Sequence, residues 1–422
     1  MNVYAADPRL GLPADILGGA IDLLLRLTAQ TSSSDDEPGL RRMADLLATE
    51  LQARGFHVTL RDEPDEGGRL LPVIDALNRP AGRAGEPGDA ARLLLIGHFD
   101  TVLPAAASRV EPDRIVATGA IDMKGGIVAF LKGVDLVDLR GGELPALRLI
   151  LVPDEEVGGA ISRRAVERAG AFARALWVLE PGDLSGAGET VVTGRRGMFH
   201  WSLDVDGTAA HSGVSFWDGR SAAAAAADWA QQTAALSRRD GGPTVNVARI
   251  VAGERAFVDD LAHGAALLGT AHRRNVVADR AVVEGEARFL RAGEDEGLQR
   301  ALTELARDVA AAHGVEMRFA REASIPPVDP TLVRDGGSRE LPADLATRLA
   351  AEAGWTLTRE AERGGISFPN FLADPARIPV LDGLGPVGGG MHTREEFIAL
   401  ESLARRIRLV ADLLQAEARL GG

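Results

Sequence analysis

Cysteine is absent from this 422-residue chain. Disulfides, thiolate metal ligands and a cysteine nucleophile are thereby excluded. Any zinc would have to be held by His, Asp and Glu, a donor set more typical of catalytic than of structural sites. Lysine is nearly absent as well: Lys124 and Lys132 are the only two, and arginine supplies the rest of the 47 basic residues. Asp and Glu number 61, for a formal net charge of -14, which argues against nucleic acid or an anionic membrane as partner. No apolar run approaches the roughly 18 residues of a membrane span. The start, Met1-Asn2-Val3-Tyr4-Ala5-Ala6-Asp7, has no basic segment leading into an apolar stretch, as a secretory signal would. The expectation is a soluble, cytoplasmic protein with a small-molecule partner.

What is present divides along the chain. Ala14 to Gln30 and Gly39 to Arg54 show helical spacing, the second with Leu40, Met43, Leu47 and Leu51 on one face and Gly55 suited to its end. Strand and helix signals then alternate to about Val192, as in a wound α/β domain. Near Gly194-Arg195-Arg196-Gly197 the rhythm changes. Met198 to Val205 alternates, Ser221 to Leu236 is an alanine-rich helix, and Thr244 to Val251 and Ala281 to Leu290 alternate again. Gly297 to His313 is helical and Val315 to Phe319 extended. That strand-helix-strand-strand-helix-strand order is that of a small ferredoxin-like α+β sandwich. After Pro326-Pro327 the α/β character resumes, with strand Val380-Leu381 and a final helix from about Phe397 to Arg419. The fold expected is an α/β domain with a mostly parallel central sheet flanked by helices, residues 1–197 and 322–422, interrupted by an inserted α+β domain at 198–321.

The chemistry lies just past the ends of apolar runs. His98 and Asp100 follow Leu93-Leu94-Leu95-Ile96-Gly97, Glu155 and Glu156 follow Leu149-Ile150-Leu151-Val152-Pro153-Asp154, and Glu180 follows Leu176-Trp177-Val178-Leu179. Short apolar runs read as buried parallel strands, and ligands of open α/β sheets bind outside the carboxyl ends of such strands. Asp122 sits in Gly119-Ala120-Ile121-Asp122-Met123-Lys124-Gly125-Gly126 and His392 in a glycine-rich stretch. Two divalent ions about 3.5–4 Å apart need a bridging carboxylate and terminal ligands on each. Asp122 can bridge, His98 and Glu180 can hold one ion, and Glu156 and His392 the other. Asp100 is then placed to fix the His98 ring. If one of the adjacent Glu155 and Glu156 coordinates, the other is displaced along the chain and can act as general base, then acid.

Gly97-His98-Phe99-Asp100-Thr101-Val102, the Gly119–Gly126 segment, Asp154-Glu155-Glu156-Val157-Gly158 and Glu180-Pro181 resemble the metal-site motifs of the co-catalytic zinc aminoacylase/carboxypeptidase family, the M20-type metallopeptidases. The overall pattern is closest to bacterial glutamate carboxypeptidases, and the resemblance runs from about Leu23 to Leu413. It implies the same ligands, two divalent ions, zinc before cobalt or manganese, and Glu155 as the base. It also implies that 198–321 is a lid through which a homodimer forms. His211, in Gly207-Thr208-Ala209-Ala210-His211-Ser212-Gly213, matches the lid histidine that stabilises the oxyanion in the partner subunit's site. Asn275 and Arg288 match lid residues that bind the substrate carboxylate, a task suited to an arginine fork.

One segment departs from the family's Gly-Gly-x-Ser/Thr-Asp, which lines the substrate pocket. Here it reads Gly364-Gly365-Ile366-Ser367-Phe368, with Gly365 and Ser367 matching pocket positions and Phe368 replacing the acid. The expected pocket is more apolar, which puts strict glutamate specificity in question. The activity expected is hydrolysis of a peptide or N-acyl amide next to a free carboxylate, by a water between the two ions with Glu155 as base. An N-acyl-amino-acid deacylase or N-carbamoyl amidohydrolase is the alternative. A non-catalytic binding protein on the same fold would be expected to have lost ligands or base, and all are present.

Overall fold

The computed structural model describes residues 12–79, 93–186, 188–262, 275–332 and 340–420. Within them the chain forms two compact units, one of residues 1–194, 330–363 and 367–422, the other of 195–329 and 364–366. The first is built on a six-stranded sheet in the order His57–Pro64, Leu70–Leu77, Leu147–Val152, Leu93–His98, Ala175–Val178, Val380–Leu381. The first two pairings are antiparallel and the remaining three parallel. The parallel strands are apolar because both faces are covered: every residue of Leu93–His98 and of Ala175–Val178 is buried.

Helices flank this sheet. Glu37–Gln52 starts where the Asp36 side chain accepts the Gly39 N–H at 3.0 Å, two residues before the expected start. It packs on the Leu70–Leu77 strand. Gly125–Leu139 packs against Ala14–Ala29 and Leu400–Leu420. A Cβ at Gly126 would stand 1.8 Å from the Leu179 carbonyl oxygen, so only glycine lets this helix start against the strand end that delivers Glu180. The last helix begins at Leu400, later than expected. Phe397–Ala399 is instead a short strand, its backbone taken up by antiparallel pairing with Arg114–Val116.

The second unit is a four-stranded antiparallel sheet in the order Thr244–Gly253, Arg280–Phe289, Gly197–Asp206, Glu316–Ile325. Ala222–Thr233 and Glu294–His313 cover one face, where Phe199, Trp201, Leu203, Val205, Trp229 and Leu302 make the core. Trp201 and Trp229 meet edge to face at 5.2 Å, a favourable aromatic geometry. A short helix, Arg255–Ala262, follows Thr244–Gly253 in the chain and precedes Arg280–Phe289, an element the alternation pattern did not announce. The unit also runs past 198–321. Arg195 and Val328 exchange backbone hydrogen bonds, and Arg291 pairs with the buried Asp329 at 2.7 Å. Arg288 and Arg195 donate to the carbonyls of Gly364 and Gly365.

Candidate metal centre

His98 is the last residue of its strand, and Glu155, Glu156 and Glu180 follow two neighbouring strands of the same sheet. Asp122 arrives from a separate irregular segment. Gly119 takes a left-handed φ of 73° and Asp122 leaves the helical region (φ -116°, ψ 94°) before the Gly125–Leu139 helix begins. His392 comes from the C-terminal turn. These residues converge: one ligand atom each of His98, Asp122 and Glu156 lies within 4.8 Å of the others, as do atoms of His98, Glu155 and Glu180.

The two oxygens of Asp122 face different histidines. Oδ1 is 3.0 Å from His98 Nε2, and Oδ2 is 3.3 Å from His392 Nε2. Each histidine has a second carboxylate beside the same nitrogen: Glu180 Oε1 is 3.8 Å from His98 Nε2, and Glu156 Oε2 is 3.2 Å from His392 Nε2. Two sets of oxygen and nitrogen donors thus share one carboxylate. Ser367 donates to Glu180 Oε1 at 3.2 Å.

Electrostatics separates the carboxylates into two kinds. Burial raises Glu155 to about 7, with Asp122, Asp100 and Glu156 adding to the push, and raises Glu156 to about 8 with Asp122 and Asp100. Asp122 is lowered despite its burial, because hydrogen bonds from His392 and His98 favour its charged form. His98 is raised well above its ordinary value: burial opposes its charge, but Asp100, Asp122 and Glu180 prevail. His392 is raised to about 9, chiefly by its hydrogen bond to Asp122. Without a cation, the cluster holds protons between its acidic groups. Hard oxygen and imidazole donors crowded in excess negative charge are chemically suited to divalent ions.

Asp100 is fully buried, and its carboxylate supports more than the His98 ring. Oδ1 accepts the Glu155 N–H and Oδ2 the Glu156 N–H, both at 3.2 Å, and the Ser34 hydroxyl donates to Oδ2 at 2.8 Å. His98 Nδ1 is 3.3 Å from Oδ1 and 3.1 Å from the main-chain oxygen of Asp100. Asp154 accepts from Ile161 N, Ser162 N and Ser162 Oγ, anchoring the next helix to the Glu155-Glu156 turn.

Two residues differ from expectation. Phe368 is fully buried, its ring 6.3 Å from that of His98. Ser367 is buried, its hydroxyl donating to Glu180. Glu396 escaped the sequence reading altogether. It is buried and accepts the N–H groups of Gly119, Ile121 and Asp122. Its only signal is an acidic residue four positions after His392.

In the second unit, His211 Nδ1 accepts the N–H groups of Gly213 and Val214 at 3.1 and 3.2 Å. On its other side, His211 Nε2 lies 3.3 Å from the Asn275 amide nitrogen. The Arg288 guanidinium donates through Nε and Nη2 to Glu286, at 2.9 and 3.2 Å, and through Nη1 to the Gly364 carbonyl at 2.6 Å. Among the described residues no helix is long and apolar enough to cross a membrane.

The chain is similar over most of its length to known hydrolases. The model of peptidase family M20/M25/M40 matches residues 94–416. A probable carboxypeptidase of Aspergillus terreus is 36% identical over 197 residues, 44% of this chain and 42% of that protein, less than half its length. Carboxypeptidase G2 of Pseudomonas sp. is 24% identical over 405 residues, 93% of this chain and 88% of that one. The fold matches that of the YXEP protein of Bacillus subtilis, a dinuclear metal binding peptidase, with a TM-score of 0.64 at 16% identity, covering 96% of this chain and 99% of that chain. With three quarters of the sequence inside the family model, and the acidic and histidine side chains gathered at one end of the sheet, the chain belongs to peptidase family M20/M25/M40 and is a hydrolase.

Proposed function

We propose that this hydrolase cleaves an amide next to a free carboxylate at a two-ion centre, with His98 and Glu180 holding one divalent ion, Glu156 and His392 the other, and Asp122 shared. The observation that carries the reading is the two-sided Asp122, each oxygen facing its own histidine and each histidine its own second carboxylate. Zinc is the ion we favour. Such ions polarise a carbonyl and lower the pKa of water toward neutrality.

The chain's own residues move the proton. Glu155 lies beside the cluster, raised to about 7, close to the value that serves a base and an acid in turn at neutral pH. It takes the proton of the attacking water as the new C–O bond forms. It then gives that proton to the leaving nitrogen as the C–N bond breaks, releasing a carboxylic acid and an amine. Asp100 holds the main chain of Glu155 and Glu156 while this happens. From the second unit we assign three roles. His211 donates to the oxyanion, and Asn275 and Arg288 bind the substrate carboxylate. Gly365 joins them in the pocket. A homodimer assembled through this unit is part of the proposal. The similarity to carboxypeptidase G2 supports a substrate with a free carboxylate.

The test is Glu155→Gln, measured against a panel of peptidyl-, N-acyl- and N-carbamoyl-amino acids with metal content monitored in parallel. We expect hydrolysis to fall by at least about 100-fold with both ions retained, the lower end of the usual contribution of a positioned acid–base. Undiminished turnover would remove Glu155 from its role.

A further inference from the structure

We propose that Glu396 is the positioning residue that fixes Asp122 in its two-sided pose and ties it to His392. The inference rests on reading Asp122 and His392 as ion ligands. Gly119 to Asp122 enters an irregular turn, left-handed at Gly119 and outside the helical region at Asp122, and of its N–H groups Ala120 donates to the Ala117 carbonyl. One carboxylate takes the other three: Oε2 accepts from Gly119 at 2.8 Å, and Oε1 accepts from Ile121 at 2.9 Å and Asp122 at 3.1 Å. Glu396 is 3% exposed, and a buried carboxylate persists only with partners of this kind. The N–H of Asp122 itself is among them, so the anchor sits one residue's backbone away from the shared carboxylate.

The same residue is fastened at its main chain. Its carbonyl accepts the Ala117 N–H at 2.9 Å, continuing the antiparallel pairing of Phe397–Ala399 with Arg114–Val116. Its N–H closes on the Thr393 carbonyl at 3.4 Å, at the base of the turn that presents His392. That turn is tied at Thr393, whose N–H and hydroxyl both donate to the Gly390 carbonyl. The segment carrying Asp122 and the segment carrying His392 therefore meet at Glu396, and the 3.3 Å between Asp122 Oδ2 and His392 Nε2 depends on that junction. Glu396 touches no reacting atom. Its neighbour Glu395 is exposed and paired with Arg109, which makes it the natural control.

The experiment titrates the ion-free protein with zinc against a competing chelator, reading stoichiometry and affinity for wild type, Glu396→Gln, Glu396→Asp and Glu395→Gln. Glu396→Gln replaces one acceptor oxygen by an amide N–H facing a donor. We expect it to bind one of two ions 10–100-fold more weakly, the usual cost of losing a group that orients a ligand. Glu396→Asp, which keeps the charge but withdraws it, should recover part of the loss, and Glu395→Gln should match wild type. At saturating zinc, the Gln variant should lose kcat with KM retained. Wild-type affinity for both ions in Glu396→Gln and Glu396→Asp would overturn the proposal while leaving the two-ion reading intact. A wild-type chain that takes up fewer than two ions would overturn both.

Discussion

Asp100→Asn is the substitution whose outcome the geometry fixes most closely. The change preserves shape and removes one acceptor oxygen. If the new amide nitrogen takes the Oδ1 place, it confronts the Glu155 N–H and His98 Nδ1. If it takes the Oδ2 place, it meets Ser34, whose hydroxyl can turn to accept, and the Glu156 N–H, which cannot. The second arrangement is the less costly, and it orphans one buried backbone donor. An unsatisfied buried group costs about 1–3 kcal/mol. The His98 tautomer is spared, since the Asp100 main-chain oxygen is the nearer acceptor of Nδ1, at 3.1 Å against 3.3 Å for the carboxylate. The damage should therefore concentrate on the Glu155-Glu156 turn.

We expect the variant to bind zinc on the order of 10-fold more weakly or worse, and kcat/KM at saturating zinc to fall 10–100-fold as the base is displaced. Chelator competition and steady-state kinetics measure the two. Ser34→Ala is the companion: it removes one donor to an oxygen that keeps the Glu156 N–H, so its cost should stay near 1 kcal/mol. An Asn variant with wild-type affinity and turnover, or a Ser34→Ala effect as large as that of Asp100→Asn, would refute this account of Asp100.

Zinc affinity should rise with pH across roughly 6.5 to 9, because Glu155, Glu156 and His392, raised to about 7, 8 and 9, must each shed a proton to receive a cation. Proton release measured by calorimetry in buffers of different ionisation enthalpy checks it. The stability of the ion-free protein should move oppositely over that window. These groups hold protons more tightly folded than unfolded, so their contribution is complete below their unfolded values and is lost as pH rises through the folded ones. Melting curves at pH 6.5 and 9, with and without zinc, test the sign. Arg406→Met removes the buried guanidinium that contacts Glu189 at 3.0 Å and the Gly383 and Thr190 carbonyls, while Glu189 keeps Arg405 at 3.2 Å and the Ser402 hydroxyl at 2.9 Å; a loss of about 1–3 kcal/mol is expected in denaturant unfolding. Arg288→Ala should raise KM for carboxylate-bearing substrates at least tenfold and leave zinc binding unchanged.

Much of the centre is legible in the sequence because the sheet is buried on both faces. A strand such as Leu93–His98 has no polar residue until the chain reaches the sheet's edge, so the first His or Asp after the apolar run marks that edge. Hairpin-like alternation likewise announces the strands of the second unit. Partnerships across long sequence separations leave no such trace. Glu396 reaches Gly119, Ile121 and Asp122 across more than 270 positions, and nothing local separates it from Glu395. The apolar spacing of Phe397 to Ala399 fits the helix that follows as well as a strand, and pairing with Arg114–Val116 decides between them. Phe368 reads as a pocket residue by position, but the turn Phe368–Phe371 folds its ring inward beside His98.

On the proposed roles, the split among the carboxylates would tie ion uptake to catalysis. Asp122 is kept charged by two histidines, whereas Glu155 and Glu156 are pushed toward their neutral forms by burial and by Asp122 and Asp100. In the ion-free chain, Glu155 near 7 is only half available as a base at neutral pH. On the proposed roles, positive charge held by Asp122, Glu156 and Glu180 would reverse the sign of the local field, and Glu155 would lose its proton without any rearrangement of its backbone. The proposed base would then be armed by the event that fills the site. That would require the backbone of Glu155 to be fixed beforehand, because a base free to swing would ligate the incoming ion, and that of Asp122 to be fixed so that its two oxygens keep facing their two histidines. Asp100 under the first and Glu396 under the second supply this restraint through main-chain N–H groups, which the change of charge leaves in place.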